Sequence, residues 1–338
     1  MSDRITVRGG SAGTLIVGPE TGPVPGEGVA TLDTAVLEVR GGHLAWSVLA
    51  GQPIPTAVLD DVDVAQEWIW AVYGERVALS VADFRSGTTE SVVTPGLPAL
   101  WASASKLGYA HWASRWWPAS TLDGIPALEQ RLVDLDIATL TAECERLVDG
   151  ADAIEPGEFA TVTADRAADY ALAAGPGAAA TDAVILARGV GGWDWRRCPP
   201  GILDASERAV SWEVRRRSGD TAVGVVAVAA SRASFAVPPH LRPRARIRTA
   251  AAATGAELIR AEDTWIGTAS APAGWESAVA VDIYVPGIGS ADVVDSDEAR
   301  IRGQLRDFVT ARLRIAADAP DETLLLAEIA AADTETDF

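Results

Sequence analysis

The chain has 338 residues, about twice the length of a typical domain, and 48% of them are hydrophobic, so two folded units are expected. Its formal net charge of −19 argues against general nucleic-acid binding and against adhesion to anionic membranes. No apolar run reaches the roughly 18 residues that a membrane-spanning helix needs, so we expect no membrane insertion.

Cysteine usage and cation usage indicate the compartment and the source. Cys144 and Cys198 are far apart and cannot form a disulfide framework, and the first residues lack the apolar stretch of a signal peptide. We therefore expect a cytoplasmic protein with free thiols. One lysine stands against 27 arginines in a chain rich in Ala, Gly and Pro, which indicates a GC-rich bacterial genome.

Residues 1–95 are predicted to form a β-rich N-terminal domain. Ile5 and Val7 alternate with polar residues, as in a half-buried strand, and a loop rich in glycine and proline spans 18–26. Two glycine-containing turns lie between strand-like segments and predict β-hairpins. In the first hairpin, 34–40 pairs with 43–50; in the second, 66–73 pairs with 76–83. As a strand, 66–73 would carry Trp68, Trp70 and Val72 on one face.

Residues 96–175 are predicted to be a helical segment that packs on the first domain. Over 98–117, three tryptophans fall on one stripe at helical spacing, and Gly108 near that stripe permits close approach of a neighbour. A second helix is predicted from Pro126 to Gly150, either packed on two sides or broken near Asp136. A third helix at 164–174 and a linker at 174–181 follow.

Residues 182–290 carry about seven strand patterns with regular turns, which favours an antiparallel β-sandwich. The segment 221–231 is apolar on both faces and is expected to be a central strand. A helix at 296–317 closes the sandwich, and 320–338 form an acidic tail with a short helix at 321–332. The expected fold class is α+β.

Most searches for catalytic or cofactor-binding motifs are negative, so neither a catalytic residue, a cofactor nor a metal is predicted. The segment 9–13 fits the GxSxG pattern of hydrolases, but a strand-like segment rather than a helix follows it, so a glycine-rich hairpin turn is the preferred interpretation. The acidic clusters at 60–63 and 292–298 lack the ligand spacing of a calcium loop and are interpreted as solvated loops and helix caps.

The densest cluster of polar and aromatic residues is Trp193, Asp194, Trp195, Arg196 and Arg197, here named the WDWRR loop. Its arginines can stack on an indole or bind a carboxylate, which suits recognition of a peptide or a small anion. Alternatively, both indoles fill the end of the sandwich while Asp194 pairs with an arginine.

A second cluster contains His111, Trp116 and Trp117. Adjacent helical residues point about 100° apart, so one of the two indoles is expected to leave the core and to be a candidate for an interface. His111 is interpreted as a packed or surface histidine rather than as a base.

Residues 188–248 contain 12 arginines and five acids, in contrast to the acidic remainder of the chain. Arg242, Arg244, Arg246 and Arg248 recur at period two and would line one face of a strand. They either bind an acidic partner or pair with acids on neighbouring strands. The acids considered for such pairing are Glu213, Glu257 and Glu262.

These observations favour a non-enzymatic protein-binding adaptor or scaffold subunit of a bacterial assembly, with a partner that carries an acidic segment. The alternative is an enzyme or a small-molecule-binding protein with its site between the helical segment and the sandwich, near Trp193–Arg197. We name Arg242, Arg244, Arg246 and Arg248 the arginine row. Under the first hypothesis, the WDWRR loop and the arginine row belong to one recognition surface.

Overall fold

The computed structural model describes residues 4–25, 32–148, 183–231, 237–277, 279–289 and 297–333. It confirms an α+β fold with an N-terminal sheet, a helical middle and a C-terminal antiparallel β-sandwich followed by helices. Every strand pair in the described residues is antiparallel. No described helix combines the length and the apolar character needed to cross a membrane.

The N-terminal sheet has six strands in the order β3-β4-β5-β2-β1-β6. Their bounds are β1 Arg4–Gly9, β2 Leu15–Gly18, β3 Thr34–Val39, β4 Gly42–Ser47, β5 Thr56–Leu59 and β6 Thr88–Val92. The hairpin turn predicted at Gly41-Gly42 is confirmed, and Gly41 has a φ of +76° that favours glycine. The GxSxG segment is the turn between β1 and β2, as expected.

The second predicted hairpin is wrong, because 66–83 is helical. Helix α1, Val62–Ala65, precedes this region, and two short helices occupy it: α2 Ile69–Tyr73 and α3 Glu75–Ala82. Trp68, Ile69, Val72 and Tyr73 are all at most 1% exposed, and their spacing places them on one side of a helix, whereas Trp70 is 39% exposed. Burial of this helical face, rather than of a period-two face, decides the local structure.

Four further helices follow in chain order: α4 Pro98–Trp116, α5 Gln130–Glu143, α6 Glu298–Asp318 and α7 Leu326–Asp333. Helix α4 packs against β3 and β4. The prediction of α4 is confirmed, and a Cβ at Gly108 would lie 2.9 Å from the Trp46 ring, so the close approach expected there occurs. Helix α5 begins later than predicted, because 126–129 is extended outside the helix; the Pro126 carbonyl there accepts a hydrogen bond from Trp117 Nε1 at 2.9 Å.

Helix α5 is continuous through Asp136 and packs on both α4 and α7, whereas Leu135 is 51% exposed. Asp136 is 5% exposed because its carboxylate accepts hydrogen bonds from the amides of Leu326 and Ala327 at the start of α7. The described part of the predicted acidic tail therefore contains a docked helix. The helix predicted at 164–174 and the linker at 174–181 lie outside the described residues.

The C-terminal strands form a five-stranded sheet, in the order β12-β13-β9-β8-β7, and a three-stranded sheet, in the order β11-β10-β14. Their bounds are β7 Val184–Gly191, β8 Val210–Arg217, β9 Asp220–Val228, β10 Arg244–Arg248, β11 Ala253–Glu257, β12 Ile259–Ala261, β13 Thr264–Ser270 and β14 Ala280–Tyr284. The central position of β9 is confirmed.

The segment 257–262 is divided between the two C-terminal sheets. Leu258, which is fully buried, lies where the chain passes from β11 to β12. Buried apolar residues from the N-terminal sheet, the helices and both C-terminal sheets belong to one hydrophobic cluster. The division into the domains predicted above stays a prediction.

Candidate functional site

The two indoles of the WDWRR loop are core residues. Trp193 and Trp195 are 5% and 4% exposed, with ring centroids 6.4 Å apart. Trp193 Nε1 donates to the carbonyl of Asp204 at 2.7 Å. Asp194 caps a 3₁₀ turn, Trp195–Arg197, by accepting from the Arg196 amide at 2.9 Å. The packing interpretation of these residues is therefore the one that the structure favours.

Arg196 belongs to an internal ion-pair network. Its guanidinium lies 2.9 Å from Glu298 and 3.4 Å from Asp194. Glu298 also pairs with Arg302 at 3.2 Å, and Arg302 binds Glu207 at 2.6 Å. Glu298 was expected to cap α6 in solvent, but it is 7% exposed. Burial, followed by a hydrogen bond with the Asp194 carboxyl, raises the pKa of Glu298 to about 7.

Arg197 differs from Arg196, because it reaches the arginine row. The guanidinium carbon of Arg197 lies 5.3 Å from the ring centroid of Tyr284, and that of Arg246 lies 5.2 Å from the same ring. The Arg197 carbonyl accepts a hydrogen bond from the amide of Val285 at 2.8 Å, which ties the loop to the end of β14. The loop and the row thus meet at one aromatic side chain.

The arginines of β10 all point outward, because Ala245 and Ile247 between them are fully buried. Arg248 pairs with Asp282 on β14 at 2.6 Å. Arg242, Arg244 and Arg246 form no ion pair within the part of the chain that the structure describes. We name the outward surface the arginine face; it consists of Arg197, Arg242, Arg244, Arg246, Arg248 and Tyr284, with Glu257 and Asp282 as its acids.

The pairing proposed between the arginine row and acids on neighbouring strands is therefore wrong for most of the row. Glu213 binds Arg215 on its own strand, with Nε at 2.8 Å. Glu257 is the cross-strand neighbour of Arg244 but forms no ion pair with it among the described residues. Asp282, which was not considered, is the acid that pairs with the row.

A small aromatic pocket lies between the WDWRR loop and the end of α4. It has a cavity volume of about 50 Å³, and its aromatic lining consists of Trp116, Trp117, Trp193 and Trp195. Both Trp116 and Trp117 are half-buried, so neither indole leaves the fold entirely. Arg115 lies at this pocket, with its guanidinium 5.2 Å from the Trp116 ring.

Asp204 holds the two sides of this pocket together and was missed by the sequence reasoning. It is fully buried and accepts hydrogen bonds from Ser120 Oγ and the Thr121 amide, both at 2.7 Å. The chain after α4 is thereby fixed to the segment that supports Trp193. A lone aspartate beside hydrophobic residues carries no sequence signal that distinguishes this role from a loop.

His111 does not line the pocket, since it lies about 140° around α4 from Trp116. It is exposed, and partial desolvation lowers its pKa against the opposing effect of Glu38. It is a surface histidine, as one interpretation of the sequence held.

The other candidate reactive groups are buried in the fold or cap a helix. Cys144 and Cys198 are free and buried, and burial raises the pKa of each thiol to about 12, so both are protonated at neutral pH. Asp61 caps α1 by accepting from the Val64 amide at 3.1 Å. In the described residues, no group of three or more His, Cys, Asp or Glu side chains is arranged to bind a metal.

No protein-family model, no curated protein and no solved structure matches the chain. Function must therefore be argued from the arginine face and the aromatic pocket themselves.

Proposed function

We propose that this protein is a protein-binding adaptor or scaffold subunit that binds an acidic segment of a partner on the arginine face. The observation that carries the proposal is the meeting of Arg197 and Arg246 at the Tyr284 ring. Because these residues come from different parts of the chain, they form a surface that neither the loop nor the strand has alone.

The charge of the arginine face supports an acidic ligand. Five arginines stand against two carboxylates there, on a chain whose net charge is −19. Planar guanidinium groups bind carboxylates in a bidentate manner, and a stacked guanidinium keeps its edge free for that contact. Electrostatic complementarity of this kind mainly increases the association rate and is weakened by salt.

The proposal includes a cytoplasmic location and a bacterial multiprotein assembly. It is supported by two free, buried cysteines, which suit a reducing compartment, and by the nearly exclusive use of arginine as the cation.

Fluorescence anisotropy with labelled octaglutamate tests the proposal on the full-length protein. Arg244→Ala/Arg246→Ala should weaken binding by about two- to thirtyfold, since each exposed ion pair contributes about 0.2–1 kcal/mol. The matched control is Arg131→Ala/Arg314→Ala, which removes two exposed arginines from helices. Equal affinities of the two double variants would show that octaglutamate does not bind the arginine face.

The aromatic pocket supports a second candidate, the binding of a small ligand between the helical segment and the sandwich. Its volume of about 50 Å³ is below the roughly 300–1,000 Å³ of typical ligand pockets, so it suits one ring or one side chain rather than a cofactor. Ligand-observed NMR with indole and with proline, on wild type and Trp117→Leu, tests it. Loss of a binding signal in the variant is expected; identical signals would contradict it.

A further inference from the structure

Within the described part of the chain, one edge of the strand β7 is unpaired, and this strand carries exposed apolar side chains. It ends the five-stranded sheet and, among the described residues, pairs only with β8. Val184, Ile185, Leu186 and Val190 are 63%, 50%, 36% and 69% exposed. An eight-residue edge of this kind presents unpaired backbone groups beside apolar surface, which is a template for pairing with another strand.

The outward face of β7 has a defined order of side chains. Ile185, Arg188 and Val190 lie opposite Arg215, Glu213 and Ser211 of β8, which share the outer face of the sheet. Arg188 is exposed and forms no ion pair with any described residue, because Glu213 binds Arg215 instead. A strand added to this edge would therefore meet one free cation between two apolar residues.

The charge of β7 disfavours a second copy of the same strand as the occupant. The register shift between Ile185 and Ala187 affects any added strand equally, and it leaves Ala187–Gly191 in regular pairing with β8. Two β7 strands would bring two copies of Arg188 close together, without an acid from the partner to compensate. An acidic residue on a different chain removes this repulsion.

We infer that β7 binds an extended peptide by strand addition, and that the peptide carries a carboxylate opposite Arg188, an apolar residue two positions away opposite Val190, and a second apolar residue on the other side, toward Ile185. This inference rests on the proposed protein-binding function and names the kind of segment bound. Main-chain hydrogen bonds to β7 supply affinity, and Arg188, Val190 and Ile185 supply selectivity.

The test uses the full-length protein and a short labelled probe with the central sequence Val-Thr-Glu-Thr-Val, together with a control probe in which Lys replaces Glu. Wild type should bind the Glu probe about fivefold more tightly than the Lys probe, because opposite charges stabilise and like charges destabilise a cross-strand pair. Arg188→Glu should reverse this preference. Arg314→Glu, which changes the net charge equally on α6, should retain it.

Hydrogen exchange identifies the bound surface. The Glu probe should slow exchange of alternate amides in β7. Amides of β7 already protected at all protein concentrations would show that the chain covers its own edge, and protection that rises with concentration would show a second copy; either result overturns the inference. The inference would also be overturned if wild type bound the Glu and Lys probes equally well and Arg188→Glu did the same.

The outcome is independent of the arginine face. Arg244→Ala/Arg246→Ala should leave the preference between the two probes unchanged, because those residues belong to the other C-terminal sheet. If octaglutamate does not bind but the Glu probe does, only the proposal for the arginine face is contradicted. If octaglutamate binds but the Glu probe does not, only the inference for β7 is contradicted.

Discussion

Replacing Glu328 with glutamine should lower the free energy of unfolding by about 3 kcal/mol, because the carboxylate is fully buried in an ion pair with Arg312. It accepts from Arg312 Nε and Nη2 at 2.6 and 2.7 Å, and from Tyr109 Oη and the Leu325 amide, both at 2.8 Å. A glutamine side chain accepts only at its oxygen, so its NH₂ group would face donors that it cannot bond.

The magnitude follows from the exposure of the partner. Removing one member of a buried pair costs about 3–5 kcal/mol. The lower end applies, since Arg312 is 17% exposed and keeps its hydrogen bond to the Thr323 carbonyl at 3.1 Å. With an unfolding entropy of about 2.1 cal/mol/K per residue, a loss of 3 kcal/mol in 338 residues lowers the melting temperature by about 4 °C.

Thermal unfolding followed by circular dichroism measures this effect. The matched control is Glu322→Gln on the exposed segment before α7, which should leave the melting temperature unchanged. A double variant with Arg312→Met should lose less stability than the sum of the single changes, because no unpaired charge remains. A melting temperature of Glu328→Gln equal to that of the control would refute the buried ion pair.

Three further predictions concern the fold that supports the candidate sites. Because the folded pKa of Glu298 is raised from 4.5 to about 7, stability should fall as pH rises through that window, by at most about 3 kcal/mol, and Glu298→Gln should flatten the pH dependence of urea midpoints. Gly108→Val should lower the free energy of unfolding by about 1–3 kcal/mol, because the new side chain collides with Trp46, whereas Gly303→Ala on α6 should raise it; urea unfolding measures both. Trp195→Ala should cost about 3–5 kcal/mol in the same assay; a change below about 1 kcal/mol would contradict its burial.

Local patterns in the sequence predicted the elements whose geometry is set by their own residues. The alternation in β10 predicted outward arginines, and the glycines at 41 and 42 predicted a hairpin, because side-chain period and turn geometry are local properties. The prediction of a strand at 66–73 was wrong because its short apolar run fits both the helical period and the strand period. The burial of Trp68 with Val72, four residues apart, identifies the helix, and this pair was visible in the sequence.

Contacts in the candidate site between residues far apart in the chain could not be predicted from local sequence patterns. Arg197 and Tyr284 are 87 residues apart, so their contact depends on how the loop docks against β14. The burial of Glu298 likewise depends on the approach of α6 to the WDWRR loop. An isolated carboxylate in the sequence has the same appearance whether it lies in solvent or in a buried ion pair.

Reversal of charge on the arginine face tests the proposed function most directly. In Arg244→Glu/Arg246→Glu, binding of octaglutamate at physiological salt should be lost and binding of octalysine should increase relative to Arg131→Glu/Arg314→Glu, which has the same net charge. The control double variant should bind octaglutamate as wild type does. Absence of octaglutamate binding to wild type, or identical behaviour of the two double variants, would contradict the assignment of the arginine face as a binding surface for acidic segments.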